Sequence, residues 1–295
     1  MKRLIYINGD LVREDKAVIS VFDRGLNYGD GLFETVKAYG GRPAFLKEHL
    51  ERLATGLQFM RIPRKPLKGF ISDLRDGVIG ELLKTNKLAG SEAYIKIIVT
   101  RGADSSGHAL PKDLRPNVII ISKQLDVKAI SLYQKNGVKA SVIKGCSPAV
   151  PCFKTLNYLP NIIAKAEARW RGAFEGIFTA KDGSILEGTS SNVFIVKNGA
   201  LKTPPINADF STGILPGVTR GAVIGISKKS EISVKEMRTH VKDLYGCDEA
   251  FLTNSIIEVV PLVSVDGKRV GSGRPGPVTK RIQLAYSRAV SENLS

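Results

Sequence analysis

Two segments, residues 93–100 (AYIKIIVT) and 117–122 (NVIIIS), constrain this chain more than any other feature. The first alternates with a period of two, which puts Tyr94 and Lys96 on one face. The second is a short apolar run of strand length. With the Gly-containing loop RGADSSGHALP (101–111) between them, they predict two neighbouring strands. Further strands are predicted at LIYING (4–9) and AVISVF (17–22), split by a polar turn at Asn8-Gly9-Asp10, and at FETVKA (33–38). Gly40-Gly41 predicts a hairpin turn. Leu46, Leu50, Leu53 and Leu57 recur at the spacing of a buried helix face over 47–60, and 67–83 reads as a second amphipathic helix. This half is a compact α+β unit.

Past Leu125 the pattern changes to many short strands and few helices. Strands are expected at 138–143, 175–180, 192–196, 231–234, 249–253 and 258–265, and helices at 157–171, 218–229 and 278–292. The chain therefore divides into a small N-terminal α+β domain (1–122), a linker (123–133) and a larger domain (134–295). It is 295 residues long, 43% hydrophobic and 24% charged, ordinary for a globular protein. No apolar run approaches the roughly 20 residues that span a bilayer, and MKRLIYINGD lacks a signal-peptide core. Three cysteines (Cys146, Cys152, Cys247) and three histidines (His49, His108, His240) carry no metal-ligand spacing. A cytoplasmic location is expected. The net charge of +16 is spread along the chain without a basic block, which favours a solvated basic surface over nucleic-acid binding.

The chemistry concentrates in the second half. Residues 148–169 (PAVPCFKTLNYLPNIIAKAEAR) set Lys154 among Phe153, Leu156, Tyr158 and Leu159. Desolvation lowers a lysine's pKa and leaves a nucleophilic amine able to form an imine with a carbonyl compound; a lysine reaching solvent along its apolar stem is the competing reading. GILPGVTRGAVIGI (213–226) places Val218 and Thr219 at a helix start, where free N–H groups suit a phosphate. LTNSIIEVVP (252–261) brings Thr253, Asn254 and Ser255 together as a second phosphate cradle or an ordinary polar turn. LEGTSSNVF (186–194) carries Glu187 before a run of hydroxyls. A carboxylate there suits a protonated ring nitrogen, or simply a hairpin turn.

Taken in order, YGDGLFETVKAY, EHLERL, YIKIIVTRG, FKTLNYLPN, EGTSSNVF, GILPGVTR and LTNSIIEVVP make the chain resemble, end to end, the fold-type IV (class IV) pyridoxal-phosphate enzymes. These are the branched-chain aminotransferases, D-amino-acid aminotransferases and aminodeoxychorismate lyases. The resemblance implies a two-domain α+β fold whose larger domain has a β-barrel-like core, pyridoxal 5'-phosphate as cofactor, and at least a homodimer. It implies Lys154 as Schiff-base lysine and proton shuttle, Glu187 on the pyridine nitrogen and Tyr158 on the phenolic oxygen. Arg52, Val218, Thr219, Asn254 and Ser255 are implied around the phosphate, and Leu215 against the ring. Without the resemblance, Arg52 reads equally as an i,i+4 partner of Glu48.

Tyr28, Phe33 and Tyr94 resemble pocket walls, and the 102–110 loop resembles the partner subunit's contribution. Lys96 stands where branched-chain enzymes typically carry an arginine that grips the substrate carboxylate; lysine keeps the charge and loses the planar fork. Ser106-Gly107-His108 lacks the arginine of the Arg-x-His found in D-specific enzymes, leaving His108 as a candidate substrate contact. The leading expectation is amino-group transfer between a branched-chain L-amino acid and a 2-oxo acid such as 2-oxoglutarate. Aminodeoxychorismate lyase follows, on the Thr-Asn-Ser-x-x-Glu segment, and D-amino-acid transfer comes third.

Overall fold

The computed structural model describes residues 2–62, 74, 77–110, 115–145, 147–206 and 213–295. The chain is α+β, with two compact units. One holds residues 1–125 with 154–157 and 294, and the other holds 126–153 with 158–293 and 295.

The first unit is built on a six-stranded antiparallel sheet. Its strands are β1 (Leu4–Ile7), β2 (Asp10–Arg13), β3 (Gly31–Tyr39), β4 (Arg42–Pro43), β5 (Ala93–Thr100) and β6 (Asn117–Gln124), in the order β2-β1-β6-β5-β3-β4. The two strands predicted as neighbours, β5 and β6, form the central pair, registered over their full eight residues from Ala93↔Gln124 to Thr100↔Asn117. Period-two alternation gives the sheet one buried face and one half-exposed face. Leu32, Glu34, Val36, Ile95, Ile97, Val118 and Ile120 share the buried face, on which helix α2 (Leu46–Phe59) packs against β3 and buries the predicted Leu50, Leu53 and Leu57. The opposite face carries Phe33, Thr35, Tyr94, Lys96, Ile121 and Lys123, with Thr35 opposite Lys96 and Tyr94 opposite Lys123.

One expected strand is absent. Residues 17–22 form no ladder, and Val18 (78%), Val21 (70%) and Phe22 (58%) are exposed. The reason is the turn before them. Asn8 and Gly9 adopt φ of 53° and 114°, the left-handed pair of a two-residue hairpin turn, so β2 pairs directly with β1 and takes the edge that 17–22 needed. The short helix α1 (Arg24–Tyr28) follows, capped by the Asp23 carboxylate. Of the second predicted helix, α3 (Val78–Thr85) is observed; residues 67–73 and 75–76 lie outside the described residues, as does Cys146.

Residues 123–133, expected as a linker, carry the end of β6 and the first turns of α4 (Val127–Asn136). Asp126 starts this helix by accepting from Ala129 N–H, and Ile130 is buried. The second unit has a nine-stranded sheet of β7 (Val138–Ile143), β8 (Glu175–Thr179), β9 (Ile185–Gly188), β10 (Asn192–Lys197), β11 (Ala200–Thr203), β12 (Val234–Glu236), β13 (Glu249–Asn254), β14 (Glu258–Val265) and β15 (Lys268–Arg269). The order is β12-β11-β10-β13-β14-β7-β8-β9, with β15 on β14. β9 also lies beside β10, five places away in that order, so the sheet curls towards a barrel. Val138, Ala140, Val142, Ile177, Val193, Ile195, Leu252 and Val260 fill the interior. The helices are α5 (Leu159–Trp170), α6 (Val218–Lys229), α7 (Val241–Tyr245) and α8 (Pro277–Leu294). Ala164 and Ala168 of α5 pack on Ile143, Phe178, Leu186 and Ile214. No helix among the described residues is long and apolar enough to cross a membrane.

Candidate functional site

Lys154 belongs to the first unit. Its carbonyl accepts from Phe33 N–H at 2.9 Å and Leu156 N–H donates to Gly31 O at 3.0 Å, so residues 154–156 are pinned along the start of β3. The Lys154 Nζ lies 4.3 Å from the centroid of the buried Phe33 ring, and the Lys96 Nζ lies 4.7 Å from the same ring. An ammonium over an aromatic face gains the ring's quadrupole attraction. Burial lowers the Lys96 pKa from its ordinary value, and the charge of Lys123 lowers it further. Lys123 Nζ in turn sits 4.7 Å from the Tyr94 ring; burial raises the Tyr94 hydroxyl pKa, opposed by its bond with Thr35.

Arg52 has a partner the sequence does not suggest. It donates from Nε and Nη2 to the two carboxylate oxygens of Glu34, at 2.8 and 2.6 Å, rather than standing as an exposed i,i+4 partner of Glu48. His49 Nδ1 lies 2.7 Å from the same carboxylate. Burial alone raises the Glu34 pKa, yet Arg52 and His49 overcome it and bring it down to about 2. Burial lowers the His49 pKa; Glu34 opposes, while Arg52 and Lys154 add to the lowering.

Tyr28 and His108 meet edge to face, 5.5 Å between ring centroids. Arg24, which sequence reasoning missed, organises both. Its guanidinium lies 5.0 Å from the Tyr28 centroid and donates to Gly107 O at 2.6 Å and Ala109 O at 3.3 Å. Asp30 anchors Arg24 and Arg101 together, at 2.9 and 2.7 Å. Burial works against the Asp30 charge, and the two guanidiniums still hold its pKa below the ordinary value.

The remaining candidates are in the second unit. Glu187, at the end of β9, is buried, and its Oε2 accepts from Asn192 Nδ2 at 3.2 Å and from Leu215 N–H at 3.0 Å. Asn192 Nδ2 also donates to Leu215 O at 3.0 Å, so both backbone groups of Leu215 are clamped. Gly217 follows because no side chain fits: a Cβ there meets Asn192 Oδ1 at 2.0 Å. It leads into α6, whose N-terminus has no side-chain cap. The first-turn N–H groups of Val218 and Thr219 therefore have no intrahelical acceptor. Thr219 Oγ1 lies 3.5 Å from the Tyr286 hydroxyl. Opposite Asn192 in the ladder is Thr253, whose buried hydroxyl has no hydrogen-bond partner.

Asn254 holds a turn: its Oδ1 accepts from Ile256 and Ile257 N–H at 2.9 Å each, and its Nδ2 donates to Ser190 O at 2.9 Å. Ser255 lies within that turn, half-buried. Tyr158 donates to Thr189 O at 3.3 Å. Asn192 was the second omission; it directly follows the hydroxyl run, and its position opposite a buried threonine emerges only from the β10–β13 register.

The second unit thus offers a buried carboxylate, an uncapped helix start and an orphaned hydroxyl. These fit a heteroaromatic cation bearing a phosphate. The first unit offers two amines on one aromatic ring.

The sequence pattern of the family described as Amino-transferase class IV matches residues 31–265. The chain is 37% identical over 286 residues to the Methanocaldococcus jannaschii protein described as "Putative branched-chain-amino-acid aminotransferase", covering 96% of this chain and 94% of that one. It is 33% identical to the aminodeoxychorismate lyase of Bacillus subtilis, covering 97% and 94%, and 32% identical to the D-alanine aminotransferase of Staphylococcus haemolyticus, covering 99% of both. A crystal structure of the Escherichia coli branched-chain amino acid aminotransferase superposes with a TM-score of 0.87 at 32% identity, covering 100% of this chain and 97% of that one. The chain belongs to the class IV aminotransferases and is a pyridoxal-phosphate-dependent enzyme.

Proposed function

We propose that this enzyme moves an amino group between a branched-chain L-amino acid and a 2-oxo acid such as 2-oxoglutarate. The observation that carries the reading is the sharing of the Phe33 ring by the Lys154 and Lys96 ammonium groups. One amine handles the reacting carbon, the second pairs with the substrate carboxylate, and the ring between them offers an apolar surface. The similarity to the Methanocaldococcus jannaschii protein described as a "Putative branched-chain-amino-acid aminotransferase" supports the same choice. Bound pyridoxal phosphate supplies the electron sink for the bond cleaved at the substrate α-carbon. Lys154 would be the residue that holds the cofactor through its aldehyde group, and its Nζ would carry the α-proton. Glu187 holds the proton on the pyridine nitrogen, Tyr158 orients the phenolic oxygen, and Leu215 packs on the ring. Val218, Thr219, Asn254 and Ser255 bind the phosphate with Arg52, whose charge Glu34 also uses. Tyr28, Tyr94 and His108 join Phe33 as substrate contacts.

The chain works as a small domain (1–122) and a large domain (134–295), except that residues 154–157 group with the first unit, and the enzyme works in the cytoplasm as a homodimer. Exposed Val18, Val21, Phe22 and Leu26 give the small domain an apolar strip of the kind a subunit interface covers.

Purified protein should show a visible absorption band, lost in Lys154→Ala. It should convert L-leucine only when 2-oxoglutarate is present, with little turnover of D-alanine. Pyruvate released from aminodeoxychorismate without an acceptor replaces transfer by the lyase reaction, which the Thr253-Asn254-Ser255 turn also fits. A colourless protein that cannot be reconstituted with pyridoxal phosphate overturns the site assignment altogether.

A further inference from the structure

The hydroxyl run of LEGTSSNVF has an unexpected partner. Glu175, the first residue of β8, is fully buried. Thr189 Oγ1 donates to its Oε1, and Ser190 and Ser191 Oγ donate to its Oε2 at 2.8 and 3.1 Å. Lys165 Nζ from α5 and Gly176 N–H complete the set on Oε1, at 3.0 and 3.1 Å. A carboxylate only accepts, so all three hydroxyl protons point inward at one acidic group. The turn they belong to is closed by Gly188 N–H on Ser191 O at 2.7 Å and tied to β8 by Thr189 N–H on Gly176 O at 2.8 Å. Gly188 is needed at its start: a Cβ there meets Ser191 Oγ at 2.2 Å.

Outside, this turn carries the site. Thr189 O accepts from Tyr158 Oη at 3.3 Å and from Asn161 Nδ2 at 2.9 Å, and Ser190 O accepts from Asn254 Nδ2 at 2.9 Å. Its two ends are Glu187 and Asn192, themselves bonded at 3.2 Å. Tyr158, Glu187 and Asn254 come from three different elements, and each is referred to the same four residues. Inside those residues sits one carboxylate that touches none of the three.

We propose that Glu175 is a positioning residue for the cofactor site, fixing Tyr158, Glu187 and Asn254 through the Thr189–Ser191 turn, with Lys165 as its counter-charge. This rests on the assignment of those three residues to pyridoxal phosphate. The chemistry requires a lone pair facing every donor. In Glu175→Gln the amide nitrogen faces hydroxyls that donate, so at least one of them must give up its bond and reorient, and we expect the turn to relax and shift Thr189 O and Ser190 O.

The test compares holoenzymes. Glu175→Gln should weaken pyridoxal phosphate binding about tenfold, the low end for loss of a group that orients direct ligands. It should also displace the pH midpoint of the visible absorption band, with the KM for the amino acid kept at the wild-type value. Glu175→Asp, which keeps the charge and shortens the reach, should restore the midpoint part of the way. If Glu175→Gln does not fold, Ser190→Ala and Ser191→Ala each remove one donor and should move the midpoint in the same direction by less. A fall in melting temperature with cofactor affinity and midpoint unchanged makes Glu175 purely structural and overturns the proposal. Tyr158→Phe and Glu187→Gln are measured in parallel. If both leave affinity and midpoint untouched, the cofactor-site assignment fails and this inference fails with it; if they shift and the Glu175 series does not, only this inference fails.

Discussion

Replacing Arg52 by methionine separates two demands on one guanidinium. Arg52 is proposed to contact phosphate, yet in the structure it makes a two-point contact with the buried Glu34 carboxylate, whose pKa falls from 4.5 to about 2 against the opposing effect of burial. At about 1.4 kcal/mol per pKa unit this is about 3 kcal/mol of stability. The folded pKa is depressed, so the contribution is complete above pH 4.5 and lost as pH falls through about 2. Removing Arg52 strands a buried carboxylate, a change that costs about 3–5 kcal/mol.

His49 makes the loss pH-dependent. In the wild type its pKa lies below 6.5 through burial, with Arg52 contributing. In the variant that repulsion is gone while Glu34 remains 2.7 Å away, so the folded pKa rises and a protonated His49 takes over as counter-charge. That replacement is available at low pH and is lost as pH rises through the folded value. Arg52→Met apoprotein should therefore be destabilised by about 3 kcal/mol at pH 8 and by clearly less at pH 6. Urea unfolding followed by far-ultraviolet circular dichroism is the assay, because the chain's one tryptophan, Trp170, lies in the other unit. Apoprotein as stable as wild type at both pH values, with only cofactor affinity reduced, would refute the reasoning. It would assign the guanidinium to the phosphate alone.

Further outcomes are expected at Lys96 with Lys123, and at Arg24. Lys96→Met should raise the amino-acid KM roughly thirtyfold, the equivalent of about 2 kcal/mol for a charged contact, with cofactor affinity kept. In the wild type that KM should climb with pH earlier than an ordinary lysine dictates, because burial and then Lys123 lower the Lys96 pKa. Lys123→Met should push the climb to higher pH, and an identical profile in Lys96→Met would remove Lys96 from the carboxylate. Arg24→Met deletes a guanidinium that holds Gly107 O, Ala109 O and Asp30. Hydrogen exchange at the amides of 104–109 should quicken at least about tenfold, while exchange in α5 stays as in the wild type.

What was legible in the sequence follows from range. β3, β5, β6, β10, β13 and β14 were predicted because period and β-branched content are local signals, and α2 because four leucines mark one face. Residues 17–22 carry the same local signal and form no strand, because pairing is competitive and the Asn8-Gly9 turn gives the edge to β2. The α4 helix was hidden behind a polar sequence; its start depends on the Asp126 cap and its anchoring on one buried residue, Ile130. Lys154 stood out through its neighbours in sequence. Its ring partner Phe33 and the second amine on that ring, Lys96, are brought to it by strand register.

The hydroxyl run 189–191 shows where local reasoning stops. Three adjacent hydroxyls ask for an anion, and a phosphate and a buried carboxylate satisfy them equally, since both are oxyanions with lone pairs to fill. Sequence therefore fixes the class of partner and leaves its identity open. The partner is Glu175, fourteen to sixteen residues upstream on a neighbouring strand. The same logic applies to Arg52, whose i,i+4 candidate on the helix is Glu48 and whose anion in space is Glu34 across the α2–β3 contact. In both cases a group suited to a ligand's charge binds the chain's own charge first. A site built this way is positioned before any ligand arrives: Arg52, proposed for the phosphate, is held by Glu34, and the turn behind Tyr158, Glu187 and Asn254 is held by Glu175. Weakening those pairs should then appear as lost affinity and a displaced titration, not as a change in which amino acid is used.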